Sequence, residues 1–546
     1  MDNIKLAELL FPAVTATRED YEKAYPQRDL PAGAMVTRIG PSPTGFVHLG
    51  NLYNALIGER LAHQSGGVFF LRVEDTDQKR EVEGAVEQVI DSMSFFNISF
   101  DEGATIEGDN GSYGPYRQRQ RAAVYHAVAK YLVQIGRAYP CFCAEEELAA
   151  MREAQGAEKA NFGYYGKWAK CRELSLDEIE ANIAAGKPYV LRFRSHGTGE
   201  ADITVTDAIR GELVMQENYQ DFVLLKSDGI PTYHFAHVVD DHLMRTTHVV
   251  RGEEWLATLP MHVECFDTLG WPRPIYCHTA QLMKMDGDVK RKLSKRKDPE
   301  LALSYYRSEG YLPDAIWEYL LTVLNSNFEE WRIANPDADR KDFPFTAEKM
   351  SNSGTLFDIV KLNDISKEVL IKMPATAIYD ELLAWAESYD AEFAALLKAD
   401  KDYACRIIDL GRDGDRPRKD LVHWAQAAKF LSFYYAERFQ IEDAFPAMDE
   451  ELRREILRRY LATVDFADDN SAWFDKVKVI CGDLGFALQP KLYKKNPELY
   501  PGSIADVSNV IRVAVTGRSN SPDLWQICKL IGEAEMRRRC EAAINM

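Results

Sequence analysis

A split, doubly wound α/β domain followed by an all-helical half is the fold class this sequence predicts. Three observations carry it. Apolar strand-like runs alternate with helix-periodic segments from Met35 to about residue 95. The rhythm stops near residue 120 and returns at Phe222 and again at His248. After about residue 310 only helical periodicity remains.

Residues 1–34 read as an extension with one short helix, Ile4 to Leu10, and prolines at 26 and 31. We expect it to pack on the domain that follows. Strand 35–39 leads to a helix near 49–63, strand Val68 to Glu74 and a helix near 80–95. Apolar strands joined by helices make a parallel sheet, and the right-handed crossover rule winds it. Residues 121–220 read as an insertion. A helix from Ala122 to Ile135 is followed by a Cys/Tyr/Trp-rich stretch and short β-like runs at Pro188–Arg194, Asp202–Thr206 and Glu212–Val214. The parallel sheet is expected to resume with Phe222–Leu225 and His248–Arg251, before a helix starting near Glu254. The helical half contains periodic segments at Ala315–Leu324, Tyr379–Ala395, Val422–Tyr435, Glu451–Leu461, Ala472–Cys481, Val507–Val515 and Leu524–Ala543. The expected domains are 1–34, 35–120, 121–220, 221–310, 311–375 and 376–546.

Composition narrows the class. The chain has 546 residues, 46% hydrophobic and 28% charged, enough for several unstapled cores. Nine scattered cysteines read as reduced thiols, and no apolar run reaches membrane-spanning length. A soluble cytoplasmic monomer is expected, without membrane contact. The net charge of −19 argues against indiscriminate nucleic-acid binding. Local basic clusters, such as Lys290–Lys297 and Arg537–Arg539, still allow a shaped nucleic-acid partner.

Two loops carry the chemistry. Gly40-Pro41-Ser42-Pro43-Thr44-Gly45-Phe46-Val47-His48-Leu49-Gly50-Asn51 joins a strand to a helix start. Such a junction points free N–H groups and the positive helix end at an anion. Gly45 and Gly50 permit close approach, while His48 and Asn51 can donate to phosphoryl oxygens. Far downstream, Lys292-Leu293-Ser294-Lys295-Arg296 supplies a second phosphate-handling loop. Two such elements suggest ATP chemistry.

These strings resemble the two signatures of class I aminoacyl-tRNA synthetases. The surrounding words are narrower: Arg38–Gly45, Arg72–Asp77, Gly114–Gln118, Asp228–His234, Val239–His242 and Arg251–Trp255 are similar to those of bacterial glutamyl-tRNA synthetases. The likeness runs from residue 35 to the end and is strongest in the first 300 residues. It implies a Rossmann-like catalytic domain, an inserted acceptor-stem-binding subdomain and an α-helical anticodon-binding half. It also implies ligation of L-glutamate to its tRNA through a glutamyl-adenylate, using ATP and Mg2+ held mainly by the phosphates. A non-discriminating form would also charge glutamine tRNA. A glutaminyl enzyme should have a β-barrel anticodon half, a base-modifying relative should be truncated, and a non-catalytic tRNA-binding paralogue should lack His48 or Lys295.

The resemblance assigns roles. His48, Asn51, Lys292 and Lys295 would be catalytic. Thr44, Gly45, Gly50, Glu254 and Ser294 would join them at ATP, with Glu254 near the ribose. Arg38, Ser42, Glu74, Tyr233, His237 and Arg251 would bind glutamate. The two arginines match an anionic side chain, and Glu74 matches an ammonium. His237 stands where relatives vary. Arg412, Arg416 and Arg418 are candidates for the anticodon. Some relatives carry zinc in the insertion. Here Cys141, Cys143 and Cys171 lack a fourth ligand on spacing, since Glu173, Tyr165 and His196 fit poorly, so zinc is not expected.

Overall fold

The computed structural model describes residues 2–43, 45–77, 79, 81–413 and 417–546. Among these the chain divides into two compact units. One comprises Met1–Tyr305 with Trp317–Asp358, and the other Tyr306–Ile316 with Ile359–Met546.

The first unit is built on parallel strands. Val36–Ile39 pairs in parallel with Val68–Leu71, and His248–Gly252 pairs in parallel with Ile275–Thr279. Thr247 N–H donates to Val36 C=O at 2.9 Å, so the two halves of the split sheet meet edge to edge. Helix Leu49–Gln64 covers this seam with Leu52, Leu56 and Leu61 buried beneath it. Gly58 lets it approach closely: a Cβ there would lie 2.9 Å from the Phe69 ring.

The insertion departs from expectation. Val223–Leu225 does not resume the parallel sheet; it pairs antiparallel with Val190–Phe193, which also pairs with Ala138–Cys141. A three-residue apolar run carries no information about strand direction. The hairpin Asp202–Asp207/Gly211–Gln216 reaches the catalytic sheet instead, where Asp207 stands beside Tyr276. The amino-terminal extension forms two helices, Asn3–Leu10 and Arg18–Ala24. It is tied to this unit by Arg28 on Glu102 (2.8 Å) and Glu22 on Arg245 (2.8 Å). A two-residue strand, Thr355–Leu356, lies beside Leu282–Asp286 in a stretch expected to be wholly helical.

Among the described residues the second unit is helical. Two expected helices are broken. Asp390 caps a new start after Ala375–Tyr389 by accepting from Phe393 N–H. Gly532, at φ +85°, separates Leu524–Ile531 from Glu533–Ile544. Periodicity runs through both breaks because the apolar faces stay in phase. Arg539, read as part of a surface cluster, is buried and donates to the carbonyls of Phe433 and Val515 at 2.7 Å. No described helix is long and apolar enough to cross a membrane.

Candidate active site

The first loop leaves Ile39 and enters the long helix at His48. The N–H of His48 donates to Asn51 Oδ1 at 3.0 Å, so Asn51 fixes the helix start with its oxygen and keeps its amide N–H2 as a donor. His48 Nδ1 is buried with no partner, and burial, with Lys292 nearby, lowers its pKa. The ring forms a wall of two cavities. One is lined by Ser42, Gly45, Phe46 and Asn51. The other is lined by Gly50, Asn54, Glu254, Thr279 and Lys292. At Gly50 an added Cβ would stand 3.0 Å from the imidazole. Thr44 lies outside the described residues.

The lysine loop is brought to the first loop by backbone. Leu303 N–H donates to Val47 C=O, and His48 bridges to Ala302. The loop folds around buried Asp298, which accepts from Arg291 (2.6 and 2.8 Å) and from Ser294 N–H (2.8 Å). Arg291 holds that carboxyl well below the usual range. Lys295 is exposed, and its ammonium lies 4.0 Å from the centroid of the Phe46 ring.

Arg38 and Arg251 occupy equivalent places near the ends of two strands, both buried. Asp241 anchors the first. It accepts from Arg38 Nε and NH2 at 3.1 Å each, and from Arg72 NH1 at 2.6 Å. Burial opposes ionisation of Asp241, but Arg38 and Arg72 outweigh it and hold the carboxyl far below its ordinary value. Arg72 also donates to Glu74 Oε1 at 3.0 Å. Burial still raises the pKa of Glu74 against that pairing. Gly40 makes room, since a Cβ there would meet Glu74 Oε1 at 2.3 Å. His237 is fully buried, with Nδ1 2.5 Å from Asp241 Oδ2 and Nε2 3.2 Å from the Tyr276 hydroxyl. It supports this cluster from behind.

Arg251 is held differently. Its Nε donates to His278 Nε2 at 3.0 Å, and its NH1 lies 3.3 Å from both the Tyr233 hydroxyl and His262 Nδ1. Its NH2 is buried without a partner. The Tyr233 ring packs on Trp255 with centroids 4.1 Å apart.

Sequence reasoning gave no role to Asp241, Arg72, Phe46, His262, His278 or Asp207. Phe46, Arg72 and the acid pair Asp240-Asp241 lie within the strings already noted; His262, His278 and Asp207 depend on neighbours distant in sequence.

In the insertion the Sγ atoms of Cys141, Cys143 and Cys171 lie within 4.8 Å of one another. Tyr164 Oη is 3.3 Å from Cys143 Sγ and accepts from Cys171 N–H at 3.0 Å. A phenol oxygen thus stands beside the three sulfurs, on the residue next to the Tyr165 weighed on spacing. Three sulfurs and one oxygen match a four-coordinate zinc in number, and the three sulfurs are the soft donors that zinc favours.

In the helical unit Arg412 donates to the carbonyls of Leu370 (2.8 Å) and Met373 (2.9 Å), closing the end of helix Ile359–Ile371. The Arg418 guanidinium stands 2.8 Å from Asp420 and donates to Ile408 C=O at 3.3 Å, while its backbone N–H donates to Gly411 C=O. Both guanidinium groups are thus engaged within their own unit. Arg416 lies outside the described residues.

A doubly wound domain in which a glycine-rich helix start meets a lysine loop defines a class I tRNA synthetase. Residues 34–364 match the family described as tRNA synthetases class I (E and Q), catalytic domain, and residues 503–544 match an anticodon binding domain. The chain belongs to that synthetase family. It is 58% identical to a glutamate–tRNA ligase of Acetivibrio thermocellus over 99% of this chain and 100% of the relative. A glutamate–tRNA ligase of Clostridium perfringens is 48% identical over 98% of this chain and 99% of the relative. A crystal structure of a glutamate tRNA ligase from Elizabethkingia meningosepticum, in complex with its amino acid, superposes with a TM-score of 0.73 at 26% identity. That match covers 94% of this chain and 99% of that one.

Proposed function

We propose that this protein ligates L-glutamate to the 3′ end of its tRNA at the expense of ATP. The glutamate α-carboxylate attacks the α-phosphorus, and the bond to the pyrophosphate oxygen breaks. A terminal ribose hydroxyl of the tRNA then attacks the acyl carbon of the adenylate, and AMP leaves. Catalysis of the first step is positioning plus stabilisation of charge on the phosphoryl oxygens. His48 and the amide of Asn51 serve one side; Lys292 and Lys295 serve the other. Gly45 and Gly50 admit the triphosphate, Ser294 braces the lysine loop on Asp298, and Glu254 meets the ribose. Magnesium, held by phosphate oxygens and water, supplies further charge neutralisation when bound.

Arg251 and Arg38 receive the substrate carboxylates, Glu74 its ammonium, and Ser42 and Tyr233 complete the pocket. His237 acts through Asp241. The helical unit reads the anticodon; Arg412 and Arg418, both bonded within that unit, brace its fold. Cys141, Cys143, Cys171 and Tyr164 would hold a zinc, whose contribution when bound is a cross-link within the insertion.

The observation that carries this reading is the meeting of the two loops at His48, with Lys292 in one adjoining cavity and Lys295 on Phe46 beside the other. The test is glutamate-dependent ATP–pyrophosphate exchange with and without tRNA, beside charging of purified glutamate and glutamine tRNAs. Charging of neither tRNA with glutamate would refute it.

A further inference from the structure

The two arginines at the strand ends are solvated by opposite kinds of neighbour. Arg38 is bound by the carboxylate of Asp241, a counter-charge it shares with Arg72. Arg251 has no carboxylate partner among the described residues; its neighbours are two imidazoles, a phenol and the face of the Tyr276 ring, 4.7 Å from the guanidinium carbon.

The proton positions follow from one fact: a guanidinium can only donate. His278 Nε2, receiving Arg251 Nε–H, must carry a lone pair. Its proton therefore sits on Nδ1, which donates to Asp207 Oδ2 at 2.7 Å. Asp207 cannot turn away. Its Oδ2 also accepts from His278 N–H (3.0 Å), and its Oδ1 from the N–H groups of Ile209 and Arg210 (2.9 Å each). His262 obeys the same rule. Its Nδ1 faces Arg251, so its proton sits on Nε2 and points to His234 Nδ1 at 3.0 Å. Both imidazoles are neutral acceptors, and burial lowers the pKa of each.

A neutral acceptor fixes a guanidinium without cancelling its charge. The remaining buried NH2 and the unpaid charge then await an anion. We propose that His278 and His262 are specificity-determining positioning residues that keep Arg251 an uncompensated cation for an acidic side chain, with Asp207 setting the tautomer of His278. This rests on the glutamate reading above and deepens it: the arrangement favours a carboxylate over the isosteric amide of glutamine.

The insertion supplies Asp207, so the subdomain beside the catalytic sheet also completes the amino-acid pocket. The register is what delivers it. Arg251 stands opposite His278 across parallel strands, and Asp207 stands beside Tyr276 on the next.

The test uses the full-length protein charging glutamate tRNA, with three substitutions. His278→Gln keeps a neutral acceptor, His278→Leu removes it, and His278→Glu replaces it with an anion. We expect His278→Gln to stay within about threefold of the starting KM for glutamate, and the other two to raise it about 10- to 100-fold, as for loss of a hydrogen bond to a charged group. KM for ATP and the melting temperature should hold, and His278→Glu should also narrow the preference for glutamate over glutamine. Equal losses in all three variants, or none in any, would overturn the proposal. If substitutions at 278 do not fold, nitrogen-15 histidine spectra of the unaltered protein decide it. They should show the Nδ1–H tautomer at His278 and Nε2–H at His262; the reverse at either ring overturns it. If the unaltered protein fails to charge with glutamate, the parent reading fails instead.

Discussion

The ammonium of Lys295 stands 4.0 Å above the ring of Phe46, two residues before His48. The contact holds the lysine loop against the glycine-rich loop that leads into helix Leu49–Gln64. Lys295→Ala should cost on the order of 3 kcal/mol in the transition state, about a hundredfold in kcat. Phe46→Leu removes only a cation–π contact of about 0.5–1 kcal/mol and should lower kcat about two- to fivefold with KM for glutamate unchanged. Steady-state kinetics with saturating tRNA would check both. Equal effects would show that the ring does more than hold the lysine.

Asp241 supports Arg38, Arg72 and His237 at once. Asp241→Asn leaves two buried guanidinium groups short of a counter-charge. We expect a loss of about 3–5 kcal/mol in stability, read by denaturant unfolding. A change under about 1 kcal/mol would mean that the cluster relaxes into another pairing.

Acid should destabilise the protein before its carboxylates titrate. Burial depresses His234 to about 4 and His237 to about 3. His48, His262 and His278 shift the same way. Between about pH 6.5 and 4 the unfolded chain binds these protons and the folded chain does not. Their contribution is therefore complete above about pH 6.5 and declines as the pH falls toward 4. His63, raised by Glu59 and Asp101 against burial, opposes the trend as one group among several. Melting temperatures across this range should fall steadily with acidification; a flat profile would contradict the neutral assignment.

Zinc should be found by elemental analysis of protein purified without chelator, at about one ion per chain. Cys141→Ser should remove most of it and lower the melting temperature. Tyr164→Phe should weaken retention against a chelator without abolishing binding. Metal content indifferent to Cys141→Ser would mean that the three thiols serve packing alone.

The parallel sheet, its interruption and the helical half were legible from periodicity, and the two loops that meet at His48 stood out by their glycines, prolines and lysines. Arg38 and Arg251 were legible as arginines near the ends of two apolar strands, and both are buried there. Less visible was the company they keep. His278 was one residue in a plain strand, and Asp207 one acid in a hairpin assigned to the insertion. Tyr164 was passed over for its neighbour Tyr165, and only the fold decides which of the two hydroxyls turns toward the sulfurs.

By itself the sequence determined which groups are present and the local form around each, since period, turn chemistry and caps act over a few residues. Tertiary structure alone decided that a carboxylate, Asp241, binds one arginine while neutral imidazoles hold the other. That difference arises from strand register and the return of the inserted hairpin to the sheet, contacts joining residues up to about two hundred positions apart. Coulomb and hydrogen-bonding terms depend on those separations in space, which no local pattern encodes.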